Sequence, residues 1–175
     1  GAEKSGTTWL AECLREHPDI CMPKVKELHY FNERFVENPE IKNYRSTRDI
    51  DWYMKHFKHC KKGSIVGEIC PAYLWDEKAP LKIKKHFPNI KIIIILRNPI
   101  DRTFSQYLYY KKRGIIREQT FGEAVSKRKD IIARSLYYKQ VGRYCSLFPK
   151  KNILVLLFDD LEKNTRTFIK KIYSF

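Results

Sequence analysis

Apolar residues in this chain fall into two kinds of run. Lys91 to Leu96 is a continuous, mostly β-branched apolar stretch, and Ile153 to Phe158 is a second. Such runs suit strands of a parallel sheet, the first with both faces buried. Around them the apolar positions recur at helical spacing. Helices are predicted from Thr8 to Glu16, ending before His17-Pro18, and from Glu77 to Phe87 with Leu81 and Ile83 inward. Others are predicted after Asn98-Pro99 through Lys112, near Phe121 to Lys129, from Ser135 to Phe148, and after the second apolar run. Ile20 to Met22 reads as a short extended stretch stopped by Pro23, and Ser64 to Ile69 as strand-like. Ser46 or Thr47 is a candidate cap for a helix through Asp51, Trp52, Tyr53, Met54 and Phe57, with acidic residues in its first turn as the helix dipole prefers. Alternating strands and helices predict an α/β three-layer sandwich with a central parallel sheet. Ligands on such sheets bind at the carboxyl ends of the strands. That rule puts Lys4, the residues after Leu96 and those after Phe158 along one rim.

The 175 residues are 43% hydrophobic, enough for one substantial core, so a single domain over residues 1–175 is expected. There is no repeat, linker or low-complexity tract. Lys and Arg number 35 against 20 Asp and Glu, a formal charge of +15, which favours anionic partners without choosing among them. The five cysteines, Cys13, Cys21, Cys60, Cys70 and Cys145, are scattered and contain no C-x-x-C pair. Reduced thiols are therefore expected, and no metal site, since His56, His59 and Cys60 lack a fourth partner at suitable spacing. No apolar run approaches membrane-spanning length. No signal peptide precedes Gly1, which lies where a first strand would just have ended, and Phe175 falls within a helical pattern.

Three segments carry candidate chemistry. Gly1-Ala2-Glu3-Lys4-Ser5-Gly6-Thr7-Thr8-Trp9 reads as a Gly-rich loop entering a helix, where backbone N–H groups and the positive helix end face an oxyanion. The two glycines have Walker A spacing, but Thr7 stands where a nucleotide-triphosphatase has lysine, and Lys4 lies three residues earlier. The plainer reading is a helix start capped by Thr7 or Thr8. In the second segment, Leu96-Arg97-Asn98-Pro99 delivers a planar, permanently charged fork to the sheet rim, and Ser105 follows about two helical turns later. The plainer alternative pairs Arg97 with Asp101 or Asp76. In the third, Lys24-Val25-Lys26-Glu27-Leu28-His29-Tyr30-Phe31, a carboxylate sits among basic and aromatic residues suited to general-base work. Its plainer alternatives are an ion pair of Glu27 with Lys26 or Lys24 and a packed His29.

In this order the segments resemble the sulfotransferases that use 3′-phosphoadenosine 5′-phosphosulfate (PAPS). The matching residues are Lys4, Gly6, Thr7 and Thr8 of the loop, Lys26 to Phe31, and Leu96, Arg97, Asn98, Pro99, Arg102 and Ser105. Gly67 to Tyr73 and Phe148 through Leu161 fit as well. The Lys-Glu-x-His stretch is more similar to the glycan-type and bacterial branches, whereas Trp9 is more similar to the cytosolic small-molecule branch. The resemblance implies that Lys4, Ser5, Gly6, Thr7, Thr8 and Trp9 hold the 5′-phosphosulfate and that Arg97 and Ser105 hold the 3′-phosphate. Lys4 would stabilise charge on the bridging oxygen, and Glu27 would take the acceptor's proton. It also implies PAPS as donor, 3′-phosphoadenosine 5′-phosphate (PAP) as product, no metal, and a hydroxyl or amine acceptor, expected to be carbohydrate-like. Ile69 departs from the pattern, because some glycan-type members carry a lysine there. A later basic loop of the family would lie beyond Phe175.

Two other classes compete. A P-loop kinase or NTPase is suggested by Leu156-Leu157-Phe158-Asp159-Asp160, which resembles a Walker B strand. A non-enzymatic basic module, binding an anion, is suggested by the charge and by Lys55 to Lys62. Neither nucleic acid nor a membrane is expected as a partner. Cytoplasmic placement is favoured, with a Golgi lumen if a membrane anchor precedes the segment.

Overall fold

A computed structural model describes residues 1–33 and 48–175. In chain order the elements are α1 (Thr7–Glu16), β1 (Ile20–Cys21), α2 (Ile50–Lys55), β2 (Ile65–Val66), α3 (Ala72–Trp75) and α4 (Ala79–His86), followed by β3 (Ile92–Leu96). Then come α5 (Pro99–Lys112), α6 (Phe121–Lys127), α7 (Lys129–Ala133), α8 (Tyr137–Leu147), β4 (Ile153–Leu157), α9 (Phe158–Lys163) and α10 (Thr165–Tyr173). This is an α/β fold.

β3 and β4 pair in parallel, from Ile92 opposite Ile153 to Leu96 opposite Leu157. A parallel pair needs a crossover, and α5 to α8 supply it. Gly1 and Ala2 lie along β3: Ile95 N donates to Gly1 O and Ala2 N to Ile95 O, both at 2.7 Å. A second, two-residue parallel pair joins Ile20 to Ile65 and Cys21 to Val66.

Side chains alternate across β3, so its two faces feed two cores. Ile92, Ile94 and Leu96 pack with Leu74, Ile83, Tyr144 and Phe148, from α3, α4, α8 and the residue after α8. Ile93 and Ile95 pack with Leu10, Leu14, Leu161, Phe168 and Ile172, from α1, α9 and α10. Helices therefore cover both faces of the strand. β4 is covered less completely, since Leu156 is buried but Val155 and Leu157 are 42% and 53% exposed.

Several boundaries differ from the sequence expectation. Only Ile65 and Val66 of Ser64 to Ile69 pair as strand, and both are exposed. The helix expected from Glu77 starts at Ala79 because the Asp76 carboxylate accepts from Lys78 N and Ala79 N, each at 2.9 Å. Leu81 points outward at 60% exposure while Ile83 is buried. Two residues apart on a helix are about 200° apart around its axis, so one inward face cannot hold both. Asp49 caps α2 by accepting from Trp52 N at 2.8 Å. The predicted caps Ser46 and Thr47 lie outside the described residues. The final helix is broken at Asn164, whose side chain accepts from Thr167 N and caps α10.

The reduced-thiol expectation is overturned. Cys21 and Cys60 form a disulfide, with Cα atoms 5.7 Å apart, while Cys13, Cys70 and Cys145 are free. The bonded pair is 39 residues apart in sequence. Sequence spacing does not reveal that approach, which depends on the end of β1 meeting the turn after α2.

Candidate active site

The Gly-rich loop is set by local backbone geometry. Lys4 and Gly6 both lie in the left-handed region, at φ 62° and 75°. Gly6, rather than Thr7 or Thr8, is the N-cap of α1. A Cβ on Gly6 would stand 2.9 Å from Leu161 Cδ2 and 3.1 Å from Phe158 Cε2, so the position needs both the missing side chain and the free φ. On the other side of the turn, Arg134 NH1 donates to both oxygens of Glu3 at 2.5 and 2.7 Å, and its guanidinium lies 4.3 Å from the Trp75 ring. The Ser5 and Thr7 side chains are buried, which leaves backbone N–H groups and the positive end of α1 for an anion. Trp9 packs edge-on to Phe168 with ring centroids 6.1 Å apart.

Lys4 Nζ sits 3.9 Å from the centre of the Tyr109 ring. Burial lowers its pKa below the ordinary lysine value, and Arg113, Arg97 and Arg102 push it further down against the opposing pull of Glu3. Arg97 NH1 donates to the Lys4 carbonyl at 3.1 Å, and its guanidinium lies 4.7 Å from the Phe158 ring. The end of β3, the loop and the start of α9 therefore meet at one place. Ser105 is one helical turn before Tyr109 on α5, so the two share a face. Arg113, whose guanidinium lies 4.9 Å from the centre of the same Tyr109 ring, adds another cation. This excess of positive charge is what a multiply charged anion relieves. Arg102 has a different role: it is fully buried and donates to Ser135 Oγ, Gln106 Oε1 and the Ile131 carbonyl, joining α5 to the α7–α8 connection.

Glu27 is tied to the loop through Lys26. Lys26 Nζ donates to Thr8 Oγ1 at 2.8 Å and lies 3.1 Å from Glu27 Oε1. His29 Nε2 is 3.6 Å from Glu27 Oε2, and its Nδ1 is 3.1 Å from Asn32 Oδ1. In the tautomer that donates from Nδ1 to Asn32, the neutral ring leaves Nε2 unprotonated. Glu27 thus has the Lys26 ion pair of the plainer reading, and that pair holds it beside the loop helix.

Glu68 was not among the sequence-predicted site residues. It is half-buried, and its carboxylate accepts from Leu28 N at 3.1 Å, Tyr53 OH at 2.9 Å and Tyr73 OH at 3.0 Å. Burial pushes its pKa up to about 7, against the pull of these hydrogen bonds, and Glu27 adds to the rise. The signal in the sequence is a lone acid after Ile65-Val66-Gly67, whose partners are supplied only by the fold. Cys21, His59 and Cys60 also come together, with ligand atoms within 4.8 Å of one another and the two sulfurs joined as the disulfide.

An open cavity of about 280 Å³ lies beside His29, lined also by Tyr30, Arg48, Lys82, Lys85 and His86. Its walls are aromatic and cationic.

Residues 1–175 match the family described as "Sulfotransferase domain". The chain belongs to the sulfotransferase family. The sulfotransferase domain is 31% identical over 173 residues to human heparan sulfate glucosamine 3-O-sulfotransferase 5, covering 92% of this chain and 47% of that protein. It is 29% identical over 172 residues to the membrane-associated sulfotransferase kil1 of Dictyostelium discoideum, covering 94% of this chain and 32% of that one. The chain thus spans about a third to a half of these relatives' length. Among solved structures, a sulfotransferase from Alicyclobacillus acidocaldarius superposes with a TM-score of 0.87 at 32% identity, covering 99% of this chain and 77% of that one. Mouse sulfotransferase SULT7A1, solved as a PAP complex, shares the fold with a TM-score of 0.63 at 22% identity over 99% of this chain and 54% of its own. Among the described residues no helix is long and apolar enough to cross a membrane.

Proposed function

We propose that this domain transfers a sulfuryl group from PAPS to a hydroxyl or amine of a carbohydrate acceptor. One observation carries the reading: Lys4, Arg97 and the N-terminus of α1 are joined at one end of β3, with Glu27 linked to the same helix through Lys26 and Thr8. The residues suit the donor. A left-handed Gly6 without room for a Cβ frees the helix start for an anion, and Lys4, Arg97 and Arg113 gather charge there.

Bound PAPS supplies an activated sulfuryl group and a phosphate leaving group. The Gly6–Trp9 backbone and Lys4 hold the 5′ end, and Arg97 with Ser105 holds the 3′-phosphate. Glu27 takes the proton from the acceptor oxygen or nitrogen as it attacks sulfur. Lys4 stabilises the negative charge that develops on the bridging oxygen. Catalysis of this kind rests on alignment and fixed charge, so this chain's own cations meet the leaving phosphate without a metal.

The cavity beside His29 supports a carbohydrate with anionic substituents, because cationic side chains meet charged groups and aromatic rings meet sugar faces. The names of the heparan sulfate relatives agree with that acceptor class. The Cys21–Cys60 disulfide favours an oxidising compartment such as a Golgi lumen over the cytoplasm.

Calorimetry tests the donor assignment. PAP is expected to bind equally with and without Mg²⁺, and more tightly than ATP with Mg²⁺. The reverse order would return the domain to phosphoryl-transfer chemistry.

A further inference from the structure

The segment carrying Glu27 has an unusual backbone. Glu27 and His29 both lie in the left-handed region, at φ 61° and 54°, which side-chain-bearing residues rarely occupy. Such a residue is disfavoured, and persists only where its surroundings over-determine it. Here the surroundings are identifiable. Leu28, between the two, is buried at 5% exposure, and its N–H donates to Glu68 Oε1 at 3.1 Å. On the far side of His29, Tyr30 N–H donates to Tyr73 OH at 3.0 Å, and that hydroxyl donates in turn to Glu68 Oε1 at 3.0 Å. Tyr53 OH fills Glu68 Oε2 at 2.9 Å. Tyr73 is itself held, because its carbonyl accepts from Tyr144 OH at 2.7 Å. One carboxylate thus grips the strained segment on both sides of His29, directly at Leu28 and through one phenol at Tyr30.

We propose that Glu68, with Tyr73 as its extension, is a positioning residue that holds the left-handed backbone at Glu27 and His29 and so aims the Glu27 carboxylate at the acceptor. The role rests on the reading of Glu27 as the base. Glutamine at position 68 keeps one acceptor oxygen and turns the other into a donor, so the Leu28, Tyr73 and Tyr53 donors are no longer all met. Phenylalanine at position 73 strips the Tyr30 N–H of its partner and leaves Glu68 ionisable. A base displaced by about 1 Å loses on the order of 100-fold in rate without loss of donor binding.

A double-mutant cycle with PAP calorimetry tests this. Glu68→Gln is expected to lower kcat 10- to 100-fold, Tyr73→Phe by a smaller factor, and both to leave the Kd for PAP unchanged. In a Glu27→Ala background either change should cause little further loss, because a positioning residue acts only through the group it positions. Fully additive losses, or an unchanged kcat in Tyr73→Phe, would overturn the proposal. A wild-type rate in Glu27→Ala alone would instead overturn the base assignment, a distinguishable result. If Glu68→Gln does not fold, Tyr73→Phe, which keeps every charge, carries the cycle.

Discussion

At the level of single residues, the proposed mechanism divides the work between Lys4 and Arg97, and their surroundings predict different failures. Lys4 is half-buried among arginines, so it loses its proton at a lower pH than a free lysine. The sign follows directly: as pH rises, the charged form needed against the leaving group disappears early. The alkaline limb of kcat/KM, which reports the free enzyme, should lie below the ordinary lysine range near pH 10.4 and be absent in Lys4→Arg, as a pH–rate series would show. Lys4→Ala should lower kcat by about 10²–10³-fold, the range for removing one charge-stabilising group. Arg97→Ala acts on binding. Loss of a charged hydrogen-bond donor, worth about 1.5–3 kcal/mol, should raise the Kd for PAP roughly 10- to 100-fold by calorimetry. That Lys4 and Arg97 meet at one sheet rim was legible in the sequence, because a Gly-rich loop and a strand-ending arginine are local signals. Glu68 was not, since its importance lies in the Leu28 amide and two phenols, one of them 15 residues away. Lys26 was visible as a motif residue and a salt-bridge partner of Glu27, but its reach to Thr8, which is across the fold, was not.

At the level of elements, the strand–helix junctions carry the candidate site. β3 was legible because five consecutive apolar residues must be covered on both sides, and the two cores on its faces do so. β1 and β2 were harder to read, since two-residue strands have too short a pattern for period-2 analysis. The helix starts at Ala79 and Thr165 were missed because each follows an Asp76 or Asn164 side chain that accepts from the backbone N–H three residues on. Loop and α1 meet at Gly6, and there packing and backbone demand the same residue. Gly6→Ala must place a Cβ 2.9 Å from Leu161 Cδ2 in a left-handed conformation. The strain alone is worth about 1–3 kcal/mol. The denaturant midpoint should fall with an unchanged slope, the signature of lost stability without a change in the exposed surface. PAP affinity should fall as well, because relief of the contact tilts the first turn of α1 away from α9.

For the whole molecule, the decisive constraint is the covalent tie between Cys21 and Cys60. The 39-residue separation it closes contains the Glu27 segment, which leaves β1 at one end and returns through α2 at the other. Non-covalent support at its start is slight, because the β1–β2 ladder has only two residue pairs and both β2 side chains face solvent. A closed loop of that length removes about 4 kcal/mol of chain entropy from the unfolded state. For a chain of this size each kcal/mol moves the midpoint of thermal unfolding by roughly 2–4 °C, so reduction should lower Tm by roughly 8–16 °C. Scanning calorimetry with and without dithiothreitol measures the shift. The paired variant Cys21→Ser/Cys60→Ser should unfold where the reduced wild type does and show no response to reductant. Cys13, Cys70 and Cys145 remain in that variant, so any residual response would be theirs. Since both ends of the tied segment flank Glu27, reduction should also raise the KM for acceptor while the Kd for PAP stays near its oxidised value. The proposed donor site draws on α1, β3 and α5, none of which the disulfide joins. Equal loss of both affinities would mean that the tie supports the entire fold rather than the acceptor side alone.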